Sequence, residues 1–178
     1  IMFRDFRLKF LGSNITLKEM VLVTAMTVLL SFSAFYVFSS RYEFSVPRFK
    51  GSCIDIPWNF AIVDTWNRRV ARDDLIVFKS RYMFTRKDGL NVAKYIRALP
   101  LDEASVKADG SVYVNQKKKA QGLIQSVLYK KEPEYFVRSE ILDFDKYWGL
   151  GTAYNSVDSR YWGNLDESQI VGHFIRIL

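Results

Sequence analysis

The pattern of apolar and polar positions changes character near residue 41. From 20 to 40 the chain reads MVLVTAMTVLLSFSAFYVFSS, without one charged side chain. Apolar residues fall on every side of a 3.6-residue period, so no polar stripe is left to face water. A helix of that length spans the hydrocarbon core of a bilayer, and the apolar region of a cleaved secretory signal is shorter. The pattern therefore predicts an uncleaved membrane-spanning helix over 20–40, closed by Lys18 and Glu19 at one end and Arg41 at the other. Beyond residue 41 the period shortens. FAIVD (60–64), DLIVFKS (74–80), NVAKYIRAL (91–99), SVYVN (111–115), EYFVRS (134–139) and IVGHFIRIL (170–178) are short runs of β-branched and aromatic residues. Turn sequences such as KDG (87–89) and ADG (108–110) punctuate them. This spacing predicts a mainly β domain of hairpins and barrel-like sheets over 41–178. Short helices are expected only over 115–128 and 166–168.

Charge orients the apolar segment. Arg4, Arg7, Lys9 and Lys18 precede it, against Asp5 and Glu19. The positive-inside rule then puts residues 1–19 in the cytoplasm and the β domain in the periplasm, on a single-pass inner-membrane anchor. FRDFRLKFLG (3–12) mixes basic with apolar residues and is expected to lie along the interface as a short amphipathic helix. The net charge of +7 suits a membrane surface or a nucleic acid. No recognition-helix, RNP or zinc pattern appears, so the membrane is the expected partner and nucleic acid is not. Cys53, the one cysteine, excludes an intramolecular disulfide and an all-cysteine metal site. His173, in the last apolar run, reads as a rim residue, and the lysines at 117–119 and 130–131 as solvated loops.

The candidate chemistry lies in boxes spread along the β domain. NSVDSRYWG at 155–163 resembles the last box of the type I signal peptidases, Ser/Lys endopeptidases on the outer face of bacterial membranes. DDLIVFKS from Asp73, KYIRALPLDE from Lys94 and ADGSVYVN from Ala108 resemble three further boxes of that family, in the same chain order. The compact size, the single anchor and the Pro57-Trp58 pair look most like the TraF-type peptidases of conjugative transfer systems, which mature pilin subunits. The resemblance implies that Lys94 is the general base, that Ser156 orients its amine, and that Asp158 and Arg160 form a supporting pair. It implies no cofactor and no metal. Its partners would be a peptide or pilin precursor and proteins of a secretion apparatus. A lysine base needs burial against apolar walls to release its proton near neutral pH.

The nucleophile departs from the family pattern. The TraF-type serine stands two residues before a proline, and counting back from Pro57 gives Asp55. A carboxylate there would pair with Lys94 and keep the amine charged. Ser52 and Cys53 stand further back, and a thiolate beside a lysine is a competent nucleophile. Leu101 replaces the glycine of the family's LPGD. Two functions follow. One is a signal-peptidase-like endopeptidase of a conjugative or type IV secretion system, using Ser52, Cys53 or Asp55 with Lys94. The other is a pseudo-peptidase that keeps the cleft as a structural or substrate-binding component.

Overall fold

In the computed structural model of this chain, the described residues are 7–10, 13–45, 53–54, 61–83 and 88–176. They divide after Arg41 into two units. In the first, strands β1 (Arg7–Phe10) and β2 (Ser13–Thr16) pair antiparallel. Helix α1 (Leu17–Arg41) follows at once. Thr16 and Glu19 close a capping box at its start: the Glu19 carboxylate accepts from Thr16 N at 2.8 Å, and Glu19 N donates to Thr16 Oγ1 at 3.3 Å. No residue of α1 is buried. The hydroxyls of Thr24, Thr27 and Ser31 donate back to the carbonyls of Met20, Val23 and Thr27 at 2.8–2.9 Å. These three hydroxyls are thus satisfied within the helix, as they would need to be in hydrocarbon. At 25 residues α1 is long and apolar enough to cross a membrane.

The second unit is built of two antiparallel sheets. The larger contains β3 (Tyr42–Ser45), β4 (Ala61–Asp64), β5 (Leu75–Lys79), β6 (Asn91–Ala98), β11 (Lys146–Leu150), β12 (Leu165–Asp166) and β13 (Ile170–Arg176), in the order β12-β11-β6-β5-β13-β4-β3. The smaller contains β7 (Glu103–Val106), β8 (Ser111–Val114), β9 (Lys117–Gln121) and β10 (Arg138–Ile141), in the order β10-β7-β8-β9. Ala104, Val106, Val112 and Val114 of the smaller sheet share one core with Ala98, Trp148 and Leu150 of the larger. A second core gathers Ile76, Phe78, Ile96, Tyr147, Leu165 and Ile170 on the larger sheet. The one α-helical turn among the described residues of this unit, α2 (Ser159–Trp162), falls inside the DSRYWG run.

Several expectations from periodicity are corrected. The basic N-terminal stretch does not form an amphipathic helix where it is described: Arg7–Phe10 is a strand, paired with Ser13–Thr16. Lys117–Gln121 is strand β9 rather than the start of a helix or a loop, because its backbone pairs antiparallel with β8 on either side of one bulge. Only Ile124–Tyr129 of the expected 115–128 helix turns helically, as 3₁₀. In the run 134–139, Pro133–Phe136 is a 3₁₀ turn started by proline, and the strand begins at Arg138.

Candidate active site

The site forms where β6 meets β11 and the turn that contains α2. Along β6 the buried positions alternate: Lys94, Ile96 and Ala98 face the core. Lys94 is therefore an inward lysine, 1% exposed, opposite fully buried Ile76 of β5. Its stem needs space, and β11 provides it. A Cβ at Gly149 would stand 2.9 Å from Lys94 Cβ, so a larger residue there would displace the lysine. The Trp162 indole packs tilted against Phe78 at 5.9 Å and adds an apolar wall. At the end of this pocket Lys94 Nζ donates to Ser156 Oγ at 3.0 Å. Ser156 is fully buried, and among the described residues no carboxylate lies within ion-pair distance of the amine. Burial pulls the Lys94 amine well below the usual lysine range, against the opposing pull of Cys53 and Asp158.

Gly151 is the point of closest approach. A Cβ there would stand 2.0 Å from Ser156 Oγ and 2.2 Å from the Cys53 carbonyl. Only glycine lets these two segments meet. The Cys53 carbonyl also accepts from Ala153 N at 3.2 Å. Burial raises the Cys53 thiol, but the charge of Lys94 and hydrogen bonds with Val157, Lys94 and Ser156 outweigh it and leave it lowered. Ser52 and Asp55, the other nucleophile candidates, lie outside the described residues.

Behind these groups the Asp158–Arg160 pair is buried at 0% and 1% side-chain exposure, with Nε 2.8 Å from Oδ1. The Asp158 carboxylate also accepts from the backbone nitrogens of Gly151 (3.0 Å) and Arg160 (3.2 Å). Arg160 spends its five N–H donors on Asp158 twice and on the carbonyls of Gln121, Gly122 and Ser156. Burial alone would lower this guanidinium, and Asp158 more than compensates, leaving it raised. The pair ties the end of β9, the Gly151 loop and the α2 turn into one support.

Lys94, Ser156, Asp158 and Arg160, singled out in the sequence, thus stand together, and Cys53 stands with them. The sequence reading missed Gly149, Gly151 and Ser159, whose hydroxyl accepts from Gly149 N at 3.0 Å. The G-L-G spacing at 149–151, in and just after an apolar run, was the available signal, since glycine in a strand marks close approach. The missing glycine of LPGD also matters, because Leu101 holds φ +67°, a left-handed conformation that glycine adopts without strain.

A buried amine on a serine hydroxyl, beside a thiol and backed by a saturated ion pair, is the equipment of a lysine-dependent hydrolase. The family model for signal peptidase, peptidase S26, matches residues 17–178, and the chain belongs to that family. It carries a signal-peptidase-like function, and proteins of that function act on precursor substrates. Twenty solved chains match it. One, a signal peptidase I from Enterococcus faecalis, is 22% identical, covers 60% of this chain and 97% of its own, and superposes with a TM-score of 0.39. No curated protein matches.

Proposed function

We propose that this chain is a membrane-anchored endopeptidase that removes a segment from a secreted or pilin precursor of a conjugative or type IV secretion system. The observation that carries the reading is Lys94, a buried amine lowered by desolvation and held on Ser156. In this role the neutral amine takes the nucleophile's proton and later returns it to the leaving amine of the cleaved peptide. Ser156 fixes the amine's direction, and Asp158 with Arg160 holds Ser156 through its carbonyl. The family membership and the apolar helix α1 support a reaction close to the bilayer. The basic flank before α1 supports a cytoplasmic N-terminus and a periplasmic β unit at the inner membrane. The single apolar helix and the Pro57-Trp58 pair favour the TraF-like branch and a pilin substrate.

Membranes carrying wild type or Lys94→Ala, with a co-expressed pilin precursor, test this reading. Wild type should shorten the precursor, and Lys94→Ala should slow cleavage by about 10²–10⁴-fold, the usual worth of a general base. Lys94→Arg should not rescue, because a guanidinium does not give up its proton. Equal maturation with and without Lys94 would favour the scaffold reading. Protease added to spheroplasts should digest the β unit, and protection of that unit would reverse the orientation.

A further inference from the structure

We propose that the nucleophile of this site is the Cys53 thiol, so that the chain works as a Cys/Lys endopeptidase rather than a Ser/Lys one. The inference rests on the peptidase reading above and concerns which atom attacks.

Three observations carry it. First, the position is built. The Cys53 carbonyl is pinned by Ala153 N at 3.2 Å, and the Cys53 backbone and the Ser156 hydroxyl press on the space that Gly151 leaves empty. Second, Cys53 stands beside the groups that activate a nucleophile. Its backbone closes on the Ser156 hydroxyl across the space at Gly151, and that hydroxyl holds the Lys94 amine at 3.0 Å. Third, exposure separates the members of the cluster. Lys94 is 1% exposed and Ser156 is 0%, whereas Cys53 is half-buried. Of these three residues, Cys53 is the one with surface left for an incoming peptide. Ser156 has the oxygen for the task but is fully buried and committed to the lysine.

The chemistry closes with water as the only co-reactant. The thiol proton moves to Lys94 Nζ, leaving a thiolate beside an ammonium. A thiolate is the reactive form of cysteine, and an adjacent cation favours it. The sulfur attacks the scissile carbonyl carbon and a C–S bond forms. When the C–N bond breaks, the leaving amine takes the proton from Lys94, and a thioester remains. Water then attacks the thioester, Lys94 accepts the water proton, and that proton returns to sulfur as the C–S bond breaks. An aspartate at position 55 is not required in any step.

The test uses the full chain in detergent micelles, and the single cysteine makes labelling unambiguous. Two probes are used: iodoacetamide across pH, and the p-nitrophenyl ester of an Ala-X-Ala tripeptide, followed by mass mapping. The alkylation rate of wild type should titrate with a midpoint below that of free cysteine, about 8.5, and Lys94→Met should move the midpoint upward by at least one pH unit. The tripeptide acyl group should appear on Cys53 as a hydroxylamine-labile thioester and be absent from Cys53→Ala. The wild-type midpoint and the mapped acyl site need no variant, so a poorly folded mutant cannot mask the answer. A wild-type midpoint at or above that of free cysteine, or no acyl group on Cys53, overturns the proposal. An acyl group on Ser52 that depends on Lys94 overturns Cys53 and leaves the peptidase reading standing. No lysine-dependent acylation and no precursor cleavage removes both.

Discussion

Two buried basic side chains share this site, and the protein treats them in opposite ways. Arg160, in the 158–162 turn, has a carboxylate partner and a carbonyl or carboxylate acceptor for every N–H, and its guanidinium is raised. Lys94, in the middle of β6, has among the described residues a serine hydroxyl for its amine, with Cys53 nearby, and the amine is lowered by burial. Burial costs each of them. The first is compensated and becomes a fixed piece of scaffold, while the second is left undercompensated and can give up its proton. The difference teaches that burial alone does not make a base. A base arises where burial is combined with a partner too weak to hold the charge.

The largest expected effect comes from breaking the compensated member. Asp158→Ala leaves the buried guanidinium without its carboxylate and should lower unfolding free energy by about 3–5 kcal/mol. Urea unfolding measures this, and Asp158→Leu combined with Arg160→Met should recover much of the loss, since a matched apolar pair leaves no orphan charge. If the single variant costs less than about 1 kcal/mol, the scaffold role assigned to the pair is wrong.

Next in size is Gly151→Ala. Its Cβ would enter the space of Ser156 Oγ and the Cys53 carbonyl at 2.0 and 2.2 Å. Overpacking of this kind costs about 1–3 kcal/mol. Because the displaced atoms carry the proposed chemistry, precursor cleavage should fall further than thermal stability does.

The undercompensated member should respond with the opposite sign. In a Cys53→Ala background, where the thiol does not titrate alongside, Lys94→Met should stabilise the fold at neutral pH by at least about 1 kcal/mol. The folded amine lies below its unfolded value of 10.5, so the unfolded chain binds the proton more tightly. Stability of the lysine form is therefore lowest at low pH and rises between the folded value and 10.5. The advantage of methionine should shrink across that window and vanish above it. Chemical denaturation as a function of pH measures the difference.

The smallest stability effect belongs to Ser156→Ala. It removes one hydrogen bond, worth about 0.5–1.5 kcal/mol, and it also releases the direction of the Lys94 amine. Cleavage should drop by about 10²-fold, the scale of a misplaced reacting group, while melting moves by only a few degrees. A parallel loss of both would mean that Ser156 is structural and does not position the base.

Legibility in the sequence follows the range of the interaction involved. Helix α1 is a matter of composition and length, and the uncharged run over 20–40 was enough to predict it, although the capping box moves its start to Leu17. The strands β4, β5, β6, β8 and β13 were visible as apolar runs, because a half-buried strand carries its own period of two. Strands β7, β9 and β11 were not. Their residues take the strand form through pairing, and KKKAQ at 117–121 has no apolar alternation of its own. The run DSRYWG was readable as one unit, since Asp158 and Arg160 are two residues apart and Asp158 also caps its own turn.

The chain by itself therefore determined the long apolar helix and the turn that carries the ion pair, both of them local or compositional features, and its boxes carried the resemblance to the family. Only the tertiary structure decided that Lys94 faces inward, because a period of two cannot say which side of a strand is the core. The register of β5 against β6, with Ile76 opposite Lys94, settles it. It likewise took the folded chain to bring Cys53 and Ser156 to the same amine. Lys94 and Ser156 are 62 residues apart in sequence, and they meet only because Gly149 and Gly151 leave the room that any side chain would have filled.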